Sequence, residues 1–116
     1  MKLVTAVLAP ERLEAVAAAL AEVEVFRMTV TECRGVGRGA QQPAPQPKAK
    51  LEIAVNENFV QPTITAIQKA GLMADPEDGD AVDGDDDEGT GFGKIFLTEL
   101  LDVVRIRTGE RGPDAI

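Results

Sequence analysis

Apolar residues run almost unbroken from residue 2 to 8 and Pro10 closes the run; beyond it Leu13, Val16, Ala17, Leu20 and Val23 recur at intervals of three and four. The first pattern predicts a β-strand, the second an amphipathic helix. From Val25 the period drops to two, with Phe26, Met28 and Val30 on one side and Arg27, Thr29 and Thr31 on the other. A long second strand is therefore expected to reach about Arg34. Gly35-Val36-Gly37-Arg38-Gly39 and the Gln- and Pro-rich stretch up to Pro47 show neither periodicity nor core-forming residues, and read as a mobile loop.

Alternation returns with Leu51, Ile53 and Val55 against Lys50, Glu52 and Ala54, a third strand antiparallel to the second. Asn56 or Asn58 is placed to cap a second helix with an apolar side of Phe59, Thr63, Ile64, Ile67 and Ala70. Pro62 fits only its first turn, and Gly71 is expected to end it. Lys94 to Leu97 reads as a fourth strand and Val103 to Arg107 as a short fifth. This order predicts one α+β domain over residues 1–116, a ferredoxin-like βαββαβ unit with a short extra C-terminal strand. Two helices would cover one side of a four-stranded antiparallel sheet. The open side and the extra strand would expose apolar surface in a monomer, which points to assembly.

Composition strengthens that expectation. The chain has 116 residues, 44% hydrophobic, but Phe26, Phe59, Phe92 and Phe96 are its only aromatic rings. So thin a core favours oligomerisation. His, Tyr, Trp and Ser are absent, which excludes Ser-His and Cys-His nucleophilic pairs, His-ligated metals and modification on Ser or Tyr. Of the 20 acidic residues behind the net charge of −8, nine lie in residues 75–88, and the rest of the chain sets 11 acids against 12 bases. The acidity belongs to one segment, too charged and too polar to fold alone, and nucleic-acid binding is not expected. The single Cys33 suits a buried thiol in a reducing cytoplasm. Glu11, Arg12 and Glu14 interrupt what would otherwise look like a signal peptide, and no stretch is expected to span a membrane.

Three elements offer chemistry. Gly35-Val36-Gly37-Arg38-Gly39 allows close backbone approach to a ligand with Arg38 as a phosphate fork, and Gly89-Thr90-Gly91-Phe92-Gly93-Lys94 also ends in a cation; for each a plain flexible turn stands as the alternative. In Val104-Arg105-Ile106-Arg107, strand alternation would put two guanidiniums on one side, either meeting an anion or pairing with Glu110 or the acidic loop. Thr29 and Thr31 read equally as strand residues or as ribose contacts. Glu32 and Glu52 are a conceivable acid/base pair, though pairing with Arg34 or Lys50 is favoured. The acidic run lacks the spacing of a calcium loop.

Together these pieces resemble the PII signal-transduction family, small trimeric sensors of nucleotide and metabolite state. The resemblance is most specific in Gly93-Lys94-Ile95-Phe96-Leu97 and in Val104-Arg105-Ile106-Arg107-Thr108-Gly109-Glu110-Arg111-Gly112 with the ending Asp114-Ala115-Ile116; Met28 to Glu32 leading into Gly35-Val36-Gly37-Arg38, and Pro47 to Ile53, complete it. It implies a homotrimer with ADP or ATP in clefts between subunits, magnesium accompanying ATP. Thr29, Gly35, Val36, Gly37, Arg38, Glu52, Gly93 and Lys94 match the family's nucleotide-contacting positions, and Arg105 and Arg107 its phosphate pair. Residues 37–48 would be a shortened T-loop without Tyr or Ser, residues 74–92 an acidic loop, and residues 103–116 the C-terminal strand and tail. Gly39 stands where a glutamine normally helps hold magnesium and 2-oxoglutarate, with Lys48 retained beside it, so that second ligand should bind weakly.

The function implied is that of a non-enzymatic cytoplasmic regulator of a transporter or enzyme in nitrogen or carbon metabolism. A bicarbonate-responsive regulator, a metal-responsive trimeric interaction protein and a slow ATP hydrolase are the alternatives; the last lacks a clear base.

Overall fold

A computed structural model of the chain describes residues 1–36, 44–72 and 94–116. Strands β1 (Lys2–Leu8), β2 (Thr29–Gly35), β3 (Gln46–Val55) and β4 (Ile95–Glu99) form one sheet in the order β2-β3-β1-β4. All three pairings are antiparallel, and helices α1 (Leu13–Glu22) and α2 (Glu57–Leu72) connect the strands. This is the ferredoxin-like α+β arrangement expected from the sequence.

Register decides which side chains meet. Val4 faces Ile53 and Ala6 faces Leu51, so these four share one side of the sheet, where they pack with Val16 and Leu20 of α1 and Ala66, Ile67 and Ala70 of α2. One residue along, Leu3, Thr5, Val7, Lys50, Glu52 and Ala54 occupy the other side, half-buried and without a helix over them among the described residues. The aromatic contribution to the core is as thin as the composition implies: Phe59 packs on it, whereas Phe26 and Phe96 are 70% and 55% exposed.

Several boundaries differ from expectation for identifiable reasons. Helix α1 is entered through a 3-10 turn at Pro10–Arg12, and it ends where Glu24 N–H donates to Ala21 O and Val25 N–H to Leu20 O. That pair of bonds closes a helix through a left-handed residue, here Glu24 at φ 65°. The chain leaves the turn off the sheet, so β2 begins at Thr29 and not at Val25. Pro62 lies in the second turn of α2, removing one backbone donor there, and the helix runs through Gly71 to Leu72. Asn56 directly precedes α2 but does not cap it with its side chain: Nδ2 donates to Pro113 O at 3.1 Å, and Oδ1 has no partner among the described residues.

The expected fifth strand is corrected outright. Among the described residues Val103 to Arg107 joins no sheet and forms one isolated bridge, Val104 with Arg111. Arg105 N–H donates to Glu110 O at 2.9 Å and Gly109 N–H to Arg105 O at 2.8 Å, so the segment folds back on itself. Gly109 and Gly112, at φ 77° and 75°, supply the left-handed positions this needs. The expected acidic loop of residues 74–92, and residues 37–43 of the expected T-loop, lie outside the described residues.

Candidate functional site

Thr29 and Glu52 are direct partners in the β2–β3 register, and Glu52 also faces Thr5, which in turn faces Phe96. A row of alternating hydroxyl and carboxylate thus crosses the bare side of the sheet and ends on an aromatic ring. Glu32 is different. It faces Ala49, on the side of Leu51, so the register separates it from Glu52 and removes the two as an acid/base pair.

Gly35 is buried at the far end of β2 opposite Gln46, and Val36 follows it, 57% exposed. Lys48 faces Cys33 on β2. Lys94 directly precedes Ile95, which pairs with Ala6, so it sits toward this same end of the sheet. Gly37, Arg38, Gly39 and Gly93 lie outside the described residues.

Arg105 and Arg107 are elsewhere. Strand β4 runs from Ile95 opposite Ala6 to Glu99 opposite Lys2, and the C-terminal segment leaves from that second end. Five residues of strand therefore separate Lys94 from Glu99, roughly 16 Å at about 3.3 Å per residue. The two guanidiniums are not held on a strand side as alternation suggested. The Arg105 guanidinium pairs with Glu110 at 3.2 Å, steadied by Thr108, whose hydroxyl donates to the same carboxylate at 3.1 Å. Arg107 stands exposed in the turn that follows. The pairing with Glu110 that the sequence offered is thus present for Arg105. A second ion pair, Arg111 with Asp102 at 3.5 Å, closes the base of the loop, where Asp102 also accepts from the N–H groups of Val103 and Gly112.

Beside Arg105 opens a cavity of about 340 Å³. Glu24, Phe26, Arg27, Asn56, Phe59 and Ile116 contribute to its lining. Of all the lining residues, the sequence marked only Arg105 as a site residue. The others escaped because Val25 to Met28 continue the two-residue period of β2, and a left-handed Glu leaves no mark comparable to a glycine. An apolar-polar alternation interrupted by a helix end only two residues earlier was the one available warning.

One chain thus brings together Thr29 with Glu52, and Gly35 and Val36 with the Lys94 end of the sheet. It does not bring Lys94 together with Arg105 and Arg107. Among the described residues no helix is long and apolar enough to cross a membrane.

Comparison with known proteins agrees with this fold. Residues 1–110 match the family model described as nitrogen regulatory protein P-II. The chain is similar over its full length to nitrogen regulatory protein GlnK1 of Methanosarcina mazei, at 43% identity covering 97% of that protein. It is also similar to nitrogen regulatory protein P-II of Azospirillum brasilense at 37% and GlnK of Escherichia coli K12 at 33%, each covered completely. With a family match over nearly all its length and relatives aligned end to end, the chain belongs to the P-II family of nitrogen regulatory proteins.

Proposed function

We propose that the chain acts as a homotrimeric sensor that binds ADP or ATP in clefts between subunits and passes the nucleotide state to a transporter or enzyme of nitrogen or carbon metabolism. The family is one of signalling regulators and not of classical enzymes. The observation that carries the reading is the separation of Lys94 from Arg105 and Arg107 toward opposite ends of one sheet. Cations so far apart cannot hold one phosphate chain within a subunit, but they can when the end of one sheet abuts the other end of a neighbour's. The bare sheet side, with Leu3, Val7 and Ala54 among Thr5, Lys50 and Glu52, supports assembly through that side.

Binding would then act by differential affinity, the nucleotide favouring the loop arrangement that a partner selects. Calorimetry with ADP and ATP, combined with light scattering, tests the reading. Replacing Arg105 and Arg107 together by Ala should weaken binding by about 2–4 kcal/mol, the loss expected for charged hydrogen bonds to phosphate. A stable monomer, or a double variant with unchanged affinity, would refute it.

A further inference from the structure

The cavity beside Arg105 contains two residues that nothing in the sequence motifs explains. Phe26 and Arg27 continue the period of β2, yet the left-handed turn at Glu24 carries them off the sheet and into the cavity lining. Phe26 is left 70% exposed, and Arg27 is exposed and makes no ion pair among the described residues. An aromatic ring and an unpaired guanidinium held at the mouth of a cavity, by a backbone conformation that disfavours any Cβ, are the groups a ligand site presents.

We propose that Phe26 and Arg27 complete the nucleotide cleft on the Arg105 side, Arg27 as a further guanidinium for the phosphates and Phe26 as an apolar plane against the base. This rests on the nucleotide reading above and adds residues to it. The cavity, at about 340 Å³, falls within the size range of small-ligand sites. Its chemistry also has a direction. Among the described residues Glu24 is the one acidic side chain in the lining and repels phosphate, so the phosphates belong beside Arg27 and Arg105 and the base lies toward Glu24 and Phe26. Arg105 already spends one nitrogen on Glu110, whereas the whole fork of Arg27 is available.

The experiment is calorimetry on the full chain with ADP, and with inorganic tripolyphosphate as a competitor for bound ADP, using the unmodified protein, F26A, R27Q and R27K. Light scattering on each variant reports the assembly. R27Q should weaken ADP and tripolyphosphate alike, roughly tenfold, with R27K recovering part of the loss. F26A should weaken ADP roughly tenfold while leaving tripolyphosphate unchanged, because a base stacks and a bare phosphate chain does not. Unaltered ADP affinity in both F26A and R27Q, beside a clear loss when Arg105 and Arg107 are replaced, overturns this inference and leaves the nucleotide reading standing. Absence of ADP binding to the unmodified protein overturns both. If F26A instead changes the oligomeric state at constant affinity, Phe26 is an interface residue and the assignment falls.

Discussion

On the helix side of the sheet Val4, Ala6, Leu51 and Ile53 are at most 1% exposed, whereas Leu3, Thr5, Val7, Lys50, Glu52 and Ala54, on the same two strands, stay half-buried on the other. The strands treat both sides alike, so the difference comes from what covers them. Helices α1 and α2 lay Val16, Leu20, Ala66 and Ile67 over the first side and leave the second bare. The residue sets match these fates. The covered side is aliphatic at these four positions, while the bare side mixes aliphatic, hydroxyl and charged groups, too polar to be a sealed core and too apolar to be an ordinary solvated surface. Such a mixture suits contact with another copy of the chain.

The largest expected effect tests the covered side. L51A should lower unfolding stability by about 2–5 kcal/mol, because truncating a fully buried leucine removes its transfer energy and leaves a cavity. V7A, one residue out of phase on the neighbouring strand, should cost less at low protomer concentration and progressively more as assembly buries it. Urea unfolding at several protein concentrations checks both. Equal, concentration-independent losses would mean that the bare side is packed like the core and that the comparison fails.

A smaller effect is expected where the helical cover joins the edge strand. Glu24 occupies a left-handed position that glycine adopts without penalty, so E24G should raise stability by about 1 kcal/mol in the same assay. Lost nucleotide affinity alongside that gain would be the sign of strain kept for a ligand. The cover itself has one flaw of comparable size. Thr63 is fully buried in α2 and its hydroxyl has no hydrogen-bond partner among the described residues, so T63V should stabilise by up to about 1 kcal/mol. Destabilisation would point to a partner for the hydroxyl that only the assembled protein provides.

What was legible in the sequence divides along the same line. β1 and α1 stood out because their burial is one-sided and periodic, and β3 because Leu51, Ile53 and Val55 alternate with residues of the bare side. Errors gathered where local pattern and tertiary context disagree. Period two continues through Phe26 and Arg27, yet the helix-closing turn at Glu24 decides their path. Alternation in Val104 to Arg107 looks like strand, but among the described residues the segment pairs with no strand, and Gly109 and Gly112 let it pair with itself. Pro62 by itself suits only a first turn, yet tertiary packing on both sides of it sustains the helix. The candidate site was legible by residue type and not by place: Thr29 facing Glu52, and Lys94 held apart from Arg105, follow from register, which no single segment encodes.

The smallest expected effect concerns the rim of the covered side, where Lys2 of β1 bridges Glu57 at the start of α2, at 3.2 Å, and Glu99 at the end of β4, at 2.7 Å. The Met1 amine joins the same Glu57 carboxylate at 2.9 Å. Hydrogen bonds from that amine and from Lys2 hold the Glu57 carboxyl below its usual 4.5, and those that Lys2 donates to Glu99 and Glu57 raise it above its usual 10.5. A carboxyl depressed in the folded state contributes stability that is present above its ordinary value and lost as pH falls through the folded value. For Lys2 the sign reverses: the contribution is complete below 10.5 and lost as pH rises through the higher folded value. The cluster should therefore act as a tie between helix cover and sheet across the neutral range and loosen at both extremes. Both carboxylates are solvent-exposed and Lys2 is partly so, which makes the tie weak and salt-sensitive. E57Q should flatten the acid limb of the stability profile below pH 4.5 and only reduce the alkaline limb, which Lys2 still holds through Glu99. An acid limb unchanged in E57Q would assign the acid sensitivity to other carboxylates and remove this rim from the account of how the cover is fastened.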